Sequence, residues 1–340
     1  MMDERYSRQI LFNKIGESGQ KKLAEKHILI IGAGALGTGN AEQLVRAGVG
    51  KITIVDRDYV ESSNLQRQQL YTEKDAETRM PKAAAAKERL QQINSSVQVE
   101  AHVADVQVNE LRGLMEGVQL IIDATDNFDT RLLINDMSQK HEVPWIYGAC
   151  VGSYGLSYTI IPGKSPCLKC LLESVPMGGA TCDTAGIISP AVQMVTAYQS
   201  VEALKILVED YDALRHKLVS FDLWSNRHIE LDISNVKKEQ CPSCGTNPSY
   251  PHLSFENQTK SAVLCGRATV QIRPSARVQR DLEQLEKALE NQAGKVERNP
   301  FLLSYQFEDK RLIFFKDGRV MIHGTKDIAE AKTLYHKIVG

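Results

Sequence analysis

The sequence predicts an α/β fold, Rossmann-like and doubly wound: a mostly parallel sheet with helices on both faces, an antiparallel extension and a small C-terminal α+β module. Three observations carry this. Apolar runs alternate with helix-like segments through the first half. One of those runs closes on Gly32, Gly34 and Gly37 in IGAGALG, which opens a helical stretch. After Cys244 and Gly245 the composition turns polar and loop-like, NPSYPHLSFENQTKSA, which marks a boundary.

His27 to Ile31 (HILII) reads as the first strand and Ala35 to Ala47 as the helix behind the glycines. KITIVD, ending at Asp56, is the next strand. Pro81 to Ile93 follows as a helix, with Pro81 in the first turn, where the N–H it lacks would have had no partner. VQVEAHV and VQLIID are further strands, Asn127 to Lys140 a helix, and VPWIYGA a strand. Past Gly148, the segments Tyr154 to Ile161, Leu218 to Leu223 and His228 to Ile233 read as antiparallel strands added to the same sheet. Ser189 and Pro190 are expected to cap a long helix running to Val208, and the glycine-rich PMGGATCDTAG before it reads as a loop. The tail offers a strand (Thr269 to Ile272), a helix with Leu282, Leu285 and Leu289 on one face, two strands meeting at Lys316, Asp317 and Gly318, and a helix from Lys326 to Ile338. The expected division is therefore residues 1–247 and residues 248–340, the second carrying no motif that suggests chemistry.

The 340 residues include 41 basic and 42 acidic side chains, so net charge gives no argument for nucleic acid. The amino terminus, MMDERYSRQI, is charged with no apolar stretch behind it, and no run is long enough to cross a bilayer; a soluble cytoplasmic protein is expected. Seven cysteines, four of them in two tight pairs, fit metal binding in a reducing compartment better than a disulfide framework.

Gly32, Gly34, Ala35 and Gly37 form a turn whose backbone can approach phosphate at a helix start, where unpaired N–H groups favour an anion. Asp56 lies about twenty residues beyond, where an acid can hold a ribose hydroxyl, and Asp58 follows it. So far a nicotinamide dehydrogenase would read the same way. The next residues fit that reading poorly: Ser63, Asn64 and Arg67 in SSNLQRQ, Lys82 after Pro81, and Asp126 and Asn127 in IIDATDN at a strand's carboxyl end. Hydride transfer needs none of them, whereas cleaving a triphosphate needs cations and a magnesium-binding carboxylate. Each alone is compatible with a solvated side chain; together they make a candidate ATP-cleaving site.

Cys167 and Cys170 in PCLKC, with Cys241 and Cys244 in CPSCG, have the spacing of one tetrahedral zinc site. Four thiolates leave no open position for water, so such a metal is structural. Neither pair opens a helix after a strand as a thioredoxin-type redox motif does. Cys182, in the glycine-rich loop, is a thiol that could be presented to a substrate.

These residues resemble the adenylyltransferases of the MoeB and ThiF type, relatives of the ubiquitin-activating enzymes. The resemblance runs from ERYSRQ (Glu4 to Gln9) through GAGALG, VDRDYV, SNLQRQ, PK and DATDN to both cysteine pairs and Gly245. It implies MgATP-dependent adenylation of the terminal glycine of a small ubiquitin-like sulfur carrier with a Gly-Gly C-terminus, of the ThiS or MoaD type. Asp56 would hold the ribose, Asn64, Arg67 and Lys82 the triphosphate, and Asp126 the magnesium. Arg8 would reach the active site of the other subunit of a homodimer, and Cys182 would correspond to a loop cysteine that bonds to the carrier in some members.

The chain continues past the second cysteine pair, where bacterial members of this type often end, and shows no rhodanese domain with its own reactive cysteine. A separate sulfur donor, a cysteine desulfurase or a rhodanese, is then expected. The thiamine and molybdopterin types share all the motifs quoted, and PMGGATCDTAG favours the thiamine type. Nicotinamide-dependent dehydrogenation, a subunit that binds nucleotide without chemistry, and adenylation of a different substrate are the competing readings.

Overall fold

The computed structural model describes residues 4–174, 185–254, 261–263, 268–273, 279–290 and 292–339. Cys182 and most of the glycine-rich loop lie outside them. HILII forms strand β1 (His27–Ile31), and its alternation explains the layers. Ile28 and Ile30 point into a core completed by Leu44 and Val45 of helix Ala35–Ala47, Leu90 of helix Lys82–Ile93, and Ala203 and Ile206 of helix Ser189–Leu207. Leu29 and Ile31 point the other way, onto Leu111 of helix Val108–Leu114 and Ile134 and Met137 of helix Phe128–His141. A strand buried on both faces needs a continuous apolar run, which is what the sequence supplies.

Strands β2 (Lys51–Asp56), β3 (Gln98–Val103), β4 (Leu120–Asp123), β5 (Trp145–Val151), β6 (Tyr154–Ile160), β7 (Lys217–Asp222) and β8 (Arg227–Asp232) complete an eight-stranded sheet in the order β3-β2-β1-β4-β5-β6-β7-β8. The β1–β2, β2–β3, β1–β4 and β4–β5 pairs are parallel, and from β5 onward each strand is antiparallel to the last. Because β1 lies between β2 and β4, the loops leaving β1, β2 and β4 open onto one crevice at the carboxyl edge.

The chain divides into two compact units, Met1–Asn257 and Gln258–Gly340. The first runs past the expected boundary at 247 because the turn Pro251–Leu253 stays on it: the His252 N–H donates to Asp136 Oδ2 at 2.9 Å. The second unit is an antiparallel sheet of β9 (Ser261–Val263), β10 (Thr269–Ile272), β11 (Lys295–Arg298), β12 (Leu302–Phe307), β13 (Lys310–Phe315) and β14 (Val320–His323), ordered β11-β12-β13-β14-β10-β9. Val270, Leu303, Tyr305, Leu312 and Phe314 pack on Leu282 and Leu289 of helix Leu282–Leu289 and on Ala331 and Ile338 of helix Ile328–Val339.

Two expected details change. Pro81 sits just outside its helix with ψ 134°, and Lys82 is the first helical residue, its N–H donating to the Asp58 carbonyl at 2.9 Å. Ser189 and Pro190 are the first helical residues rather than caps; Ile188 precedes them without a side-chain cap, its N–H tied to the Gly152 carbonyl at 3.0 Å. No helix among the described residues is long and apolar enough to cross a membrane.

A candidate nucleotide crevice and a four-cysteine cluster

The loop after β1 is built by two glycines. Gly32 has φ +97°, a conformation that disfavours a side chain, and a Cβ there would also run into the Ala124 carbonyl oxygen at the end of β4. A Cβ on Gly37 would strike the Gly32 carbonyl oxygen, so this glycine lets the helix start fold back onto the loop. Gly34 precedes helix Ala35–Ala47, whose first-turn N–H groups have no intrahelical acceptor. The helix start therefore presents donors to the crevice.

Asp56 ends β2 beside this loop, one carboxylate oxygen accepting from the Ala33 N–H and the other from the Asp58 N–H, both at 2.6 Å. Burial pushes its carboxyl up from the usual range, and the nearby Lys82 charge opposes that shift. Lys82 is buried, 5% exposed, with Nζ 3.3 Å from Asp58 Oδ2. It arrives there because the chain at Asp58–Val60 pairs with Met80–Lys82: Val60 N–H donates to the Met80 carbonyl at 2.9 Å, as Lys82 N–H does to Asp58. The Tyr71 hydroxyl locks the assembly, donating to the Ala33 carbonyl at 2.6 Å with the Lys82 carbonyl 3.0 Å away. Burial raises the Tyr71 pKa well above its ordinary value, so the phenol stays protonated and able to donate.

Asn64 and Arg67 are less committed to the crevice. Asn64 is buried, and its Oδ1 accepts from the Glu61 N–H at 3.1 Å, a cap for the turn Ser62–Asn64. Ser63 contributes its carbonyl, 2.9 Å from Arg67 Nη1. Asp126 stands exposed at 70%, and Asn127 beside it caps helix Phe128–His141 by accepting from Thr130 N–H at 2.9 Å. Arg8, in the short helix Ser7–Ile10, is exposed, and nothing among the described residues of this chain brings it to the crevice. Its arm is anchored by neighbours: Asn94 Nδ2 donates to the Tyr6 hydroxyl at 2.8 Å and Gln9 Nε2 to the Ala47 carbonyl at 2.9 Å.

Several residues that sequence patterns passed over complete the surroundings. Arg57 lies between two carboxylates, Nη1 3.2 Å from Asp105 Oδ1 and Nη2 3.9 Å from Asp126 Oδ1. Burial pulls its pKa down, but Asp105, Asp58 and Asp126 outweigh that and hold it above its usual value. Beneath the Asp126 loop, Arg131 Nε pairs with the fully buried Asp123 at 3.1 Å, and Arg131 Nη2 donates to the Thr125 carbonyl at 2.7 Å. The Arg131 guanidinium also lies 5.1 Å from the Tyr147 ring centre. Arg57 was visible as the residue between the two acids of VDRDYV, while Asp105 and Arg131 carried no motif of their own.

The cysteines do converge. Cys167 Sγ is 3.6 Å from Cys241 Sγ, Cys170 Sγ is 3.6 Å from Cys244 Sγ, and all four sulfurs lie within 4.8 Å of one another. A tetrahedral zinc with bonds of about 2.3 Å sets sulfurs roughly 3.8 Å apart, so the cluster can hold zinc. Backbone N–H groups of Lys238 and Ser243 point at Cys170 and Cys241 sulfurs, each at 3.4 Å, which suits thiolates.

Comparisons with known proteins agree with this geometry. The ThiF family model matches residues 6–244. The chain is 56% identical over 340 residues, 100% of both chains, to the sulfur carrier protein ThiS adenylyltransferase of Bacillus subtilis (strain 168). It is 35% identical over 248 residues to the protein of the same name from Escherichia coli (strain K12), covering 73% of this chain and 97% of that one. The crystal structure of E. coli MccB with ATP shares the fold, with a TM-score of 0.61 at 21% identity over 72% of this chain and 75% of that one. A family model spanning most of the chain and a relative matched end to end lead to one conclusion: the chain belongs to the ThiF family.

Proposed function

We infer that this protein uses ATP to adenylate the C-terminal glycine of a ThiS-type, ubiquitin-like sulfur carrier, activating it for sulfur transfer in thiamine thiazole synthesis. The observation that carries this is the glycine loop beside the Asp56–Asp58–Lys82 group, with Asp126 lying 3.9 Å from Arg57, the residue between Asp56 and Asp58. The end-to-end likeness to the Bacillus ThiS adenylyltransferase favours the thiamine carrier over a MoaD-type one.

In this mechanism Asp56 orients the ribose, and the helix start at Ala35 with Lys82 and Arg67 holds the triphosphate, Asn64 fixing the turn that carries Arg67. The carrier's terminal carboxylate oxygen attacks the α-phosphorus. The new P–O bond gives an acyl-adenylate as the bond to the leaving pyrophosphate breaks. An anion attacking an anion is opposed by charge repulsion, and fixed cations relieve it most where charge accumulates in the transition state. Mg2+, held by Asp126, would neutralise the phosphates. Arg57 Nη2, 3.9 Å from Asp126 Oδ1, is a cation beside that exposed carboxylate.

The four cysteines hold a structural Zn2+ that ties residue 167 to residue 244. The active unit is a homodimer in which Arg8 of one chain completes the crevice of the other; exposed Leu11 (72%) and Phe12 (59%), on the same arm, support a covered arm in the assembly. Cys182 acts after adenylation, in taking up the carrier, and sulfur comes from a separate cysteine desulfurase or rhodanese. ATP–pyrophosphate exchange tests the reading. Exchange dependent on a ThiS-type carrier ending in Gly-Gly is expected, and exchange supported only by a MoaD-type carrier, or by neither, would overturn it.

A further inference from the structure

The Asp126 side chain does little to hold itself in place. It is 70% exposed, and among the described residues the polar contacts of its carboxylate are Arg57 Nη2 at 3.9 Å and Asn127 Nδ2, which donates to Oδ1 at 3.3 Å. The backbone of the 124–127 turn therefore decides where the carboxylate stands. That turn is clamped from within the fold. Ala124 N–H donates to the Ile31 carbonyl at the end of β1 at 2.9 Å. The Thr125 N–H and hydroxyl both donate to Asp123 Oδ1, at 2.9 and 2.7 Å. Arg131, in the first turn of helix Phe128–His141, closes the clamp: Nη2 donates to the Thr125 carbonyl at 2.7 Å and lies 3.3 Å from the Gly148 carbonyl of β5, while Nε pairs with Asp123 Oδ2 at 3.1 Å. Its guanidinium also meets two rings, 5.3 Å from the centre of Phe128 and 5.1 Å from that of Tyr147. Arg131 is 7% exposed and Asp123 fully buried. An ion pair this deep is a poor source of stability, because two charges leave water to form it. What it does supply is a fixed peptide between Thr125 and Asp126.

We propose that Arg131 is a positioning residue for adenylate formation: through the Thr125 carbonyl it sets where the Asp126 carboxylate stands, without itself touching the nucleotide. This rests on the inference that the crevice binds ATP with magnesium at Asp126. A group that serves a reaction has to be held to within about 0.5 Å of its working place, and the side chains that orient it then matter nearly as much as the group itself. Asn127 cannot take over the task, because its Oδ1 is engaged by the Thr130 N–H at 2.9 Å. Lysine in place of Arg131 keeps a positive charge opposite Asp123, but a single nitrogen cannot reproduce the planar fork that grips Asp123 and the Thr125 carbonyl together.

The experiment compares wild type, Arg131→Lys, Asp126→Asn and the double variant in the full chain. ATP–pyrophosphate exchange with a ThiS-type carrier is followed over a magnesium titration, under conditions where urea titration shows all four proteins folded, and hydrogen exchange is followed without nucleotide. Arg131→Lys should lose pyrophosphate exchange roughly 10- to 100-fold and need roughly 10-fold more magnesium for its half-maximal rate, the range for losing a group that orients a metal ligand. With Asp126 already neutral, the same substitution should change the rate by less than about twofold, since the two residues act as one unit. In nucleotide-free Arg131→Lys the Thr125 amide should exchange faster with solvent, while the amides of Ile121 and Ile122 in β4 keep their wild-type rates. An arginine that only stabilises the fold would lower the rate by the same factor in both backgrounds and leave the magnesium requirement alone; that outcome overturns the proposal, as does a wild-type rate in Arg131→Lys. A normal rate in Asp126→Asn would instead overturn the magnesium reading beneath it, which separates the two failures. If Arg131→Lys folds poorly, Asp123→Asn with Arg131→Met takes its place with the same expectations, since it removes both buried charges together and asparagine still accepts from Thr125.

Discussion

At the level of single residues, exposure separates the groups that face solvent-borne charge from those that hold the site together. Asp126 is largely exposed and touches Arg57 at the edge of ion-pair distance, so losing its charge disturbs little around it. Asp126→Asn should bind ATP with near-normal affinity yet lose pyrophosphate exchange on the order of 100-fold or more, as when a transition-state charge partner is removed. Near-normal exchange in that variant would take Asp126 out of the site. Arg131 is the opposite case. It is buried against a buried carboxylate, so Arg131→Met leaves Asp123 unpaired and should cost ~3–5 kcal/mol of stability in urea titration. Here the sequence was only partly legible. Asp56, Lys82 and Asp126 announce themselves because chemistry fixes their spacing from the glycines and strand ends. Asp105 and Arg131 carry no motif, the Arg57–Asp105 pair spanning 48 positions, and no local pattern encodes that.

Among the elements, the parallel strands and their helices could be read because each buries a continuous or periodic apolar surface. Helix Gly16–Glu25 had no such signature: its buried residues are Gly19, Gln20 and Leu23, and only Leu23 joins the core, with polar contacts beside it. Lys22 and Lys26 both reach Glu209, at 2.7 Å each, beyond the end of helix Ser189–Leu207. These two lysines lower the Glu209 pKa from 4.5 to about 2. A carboxylate with a lowered folded-state pKa contributes stability that is fully present above its unfolded pKa and is lost as pH falls through the folded one. Glu209→Gln should therefore lower the melting temperature near neutral pH, and the gap from wild type should close between about pH 4.5 and about pH 2. A gap unchanged by pH would mean that shape, not charge, matters there. In the second unit β11 and β12 escaped sequence reading. Buried Leu302, Leu303, Ser304 and Tyr305 run consecutively in β12, so the strand lacks the alternation that marks a one-sided sheet.

For the molecule as a whole, the proposed homodimer supplies Arg8, exposed on the arm of its own chain, to the crevice of the partner. A shared site predicts complementation: Arg8→Ala and Asp126→Asn homodimers should each be nearly inactive, while a purified heterodimer of the two has one site with both residues intact. It should recover up to about half of the wild-type exchange per dimer by twofold symmetry. A heterodimer as inactive as its parents, or an active monomer by light scattering, would refute the shared site. The cysteine cluster has a consequence of another kind, for how the chain bears load. With metal bound, Cys167 and Cys244 are joined through it, and the 168–243 stretch between them cannot extend when the ends are pulled. At about 3.6 Å per residue, that withholds about 27 nm of contour from a force–extension trace until the metal–sulfur bonds rupture. Added chelator should release that length at the first unfolding event, so a traction experiment would read the cluster's occupancy as a distance.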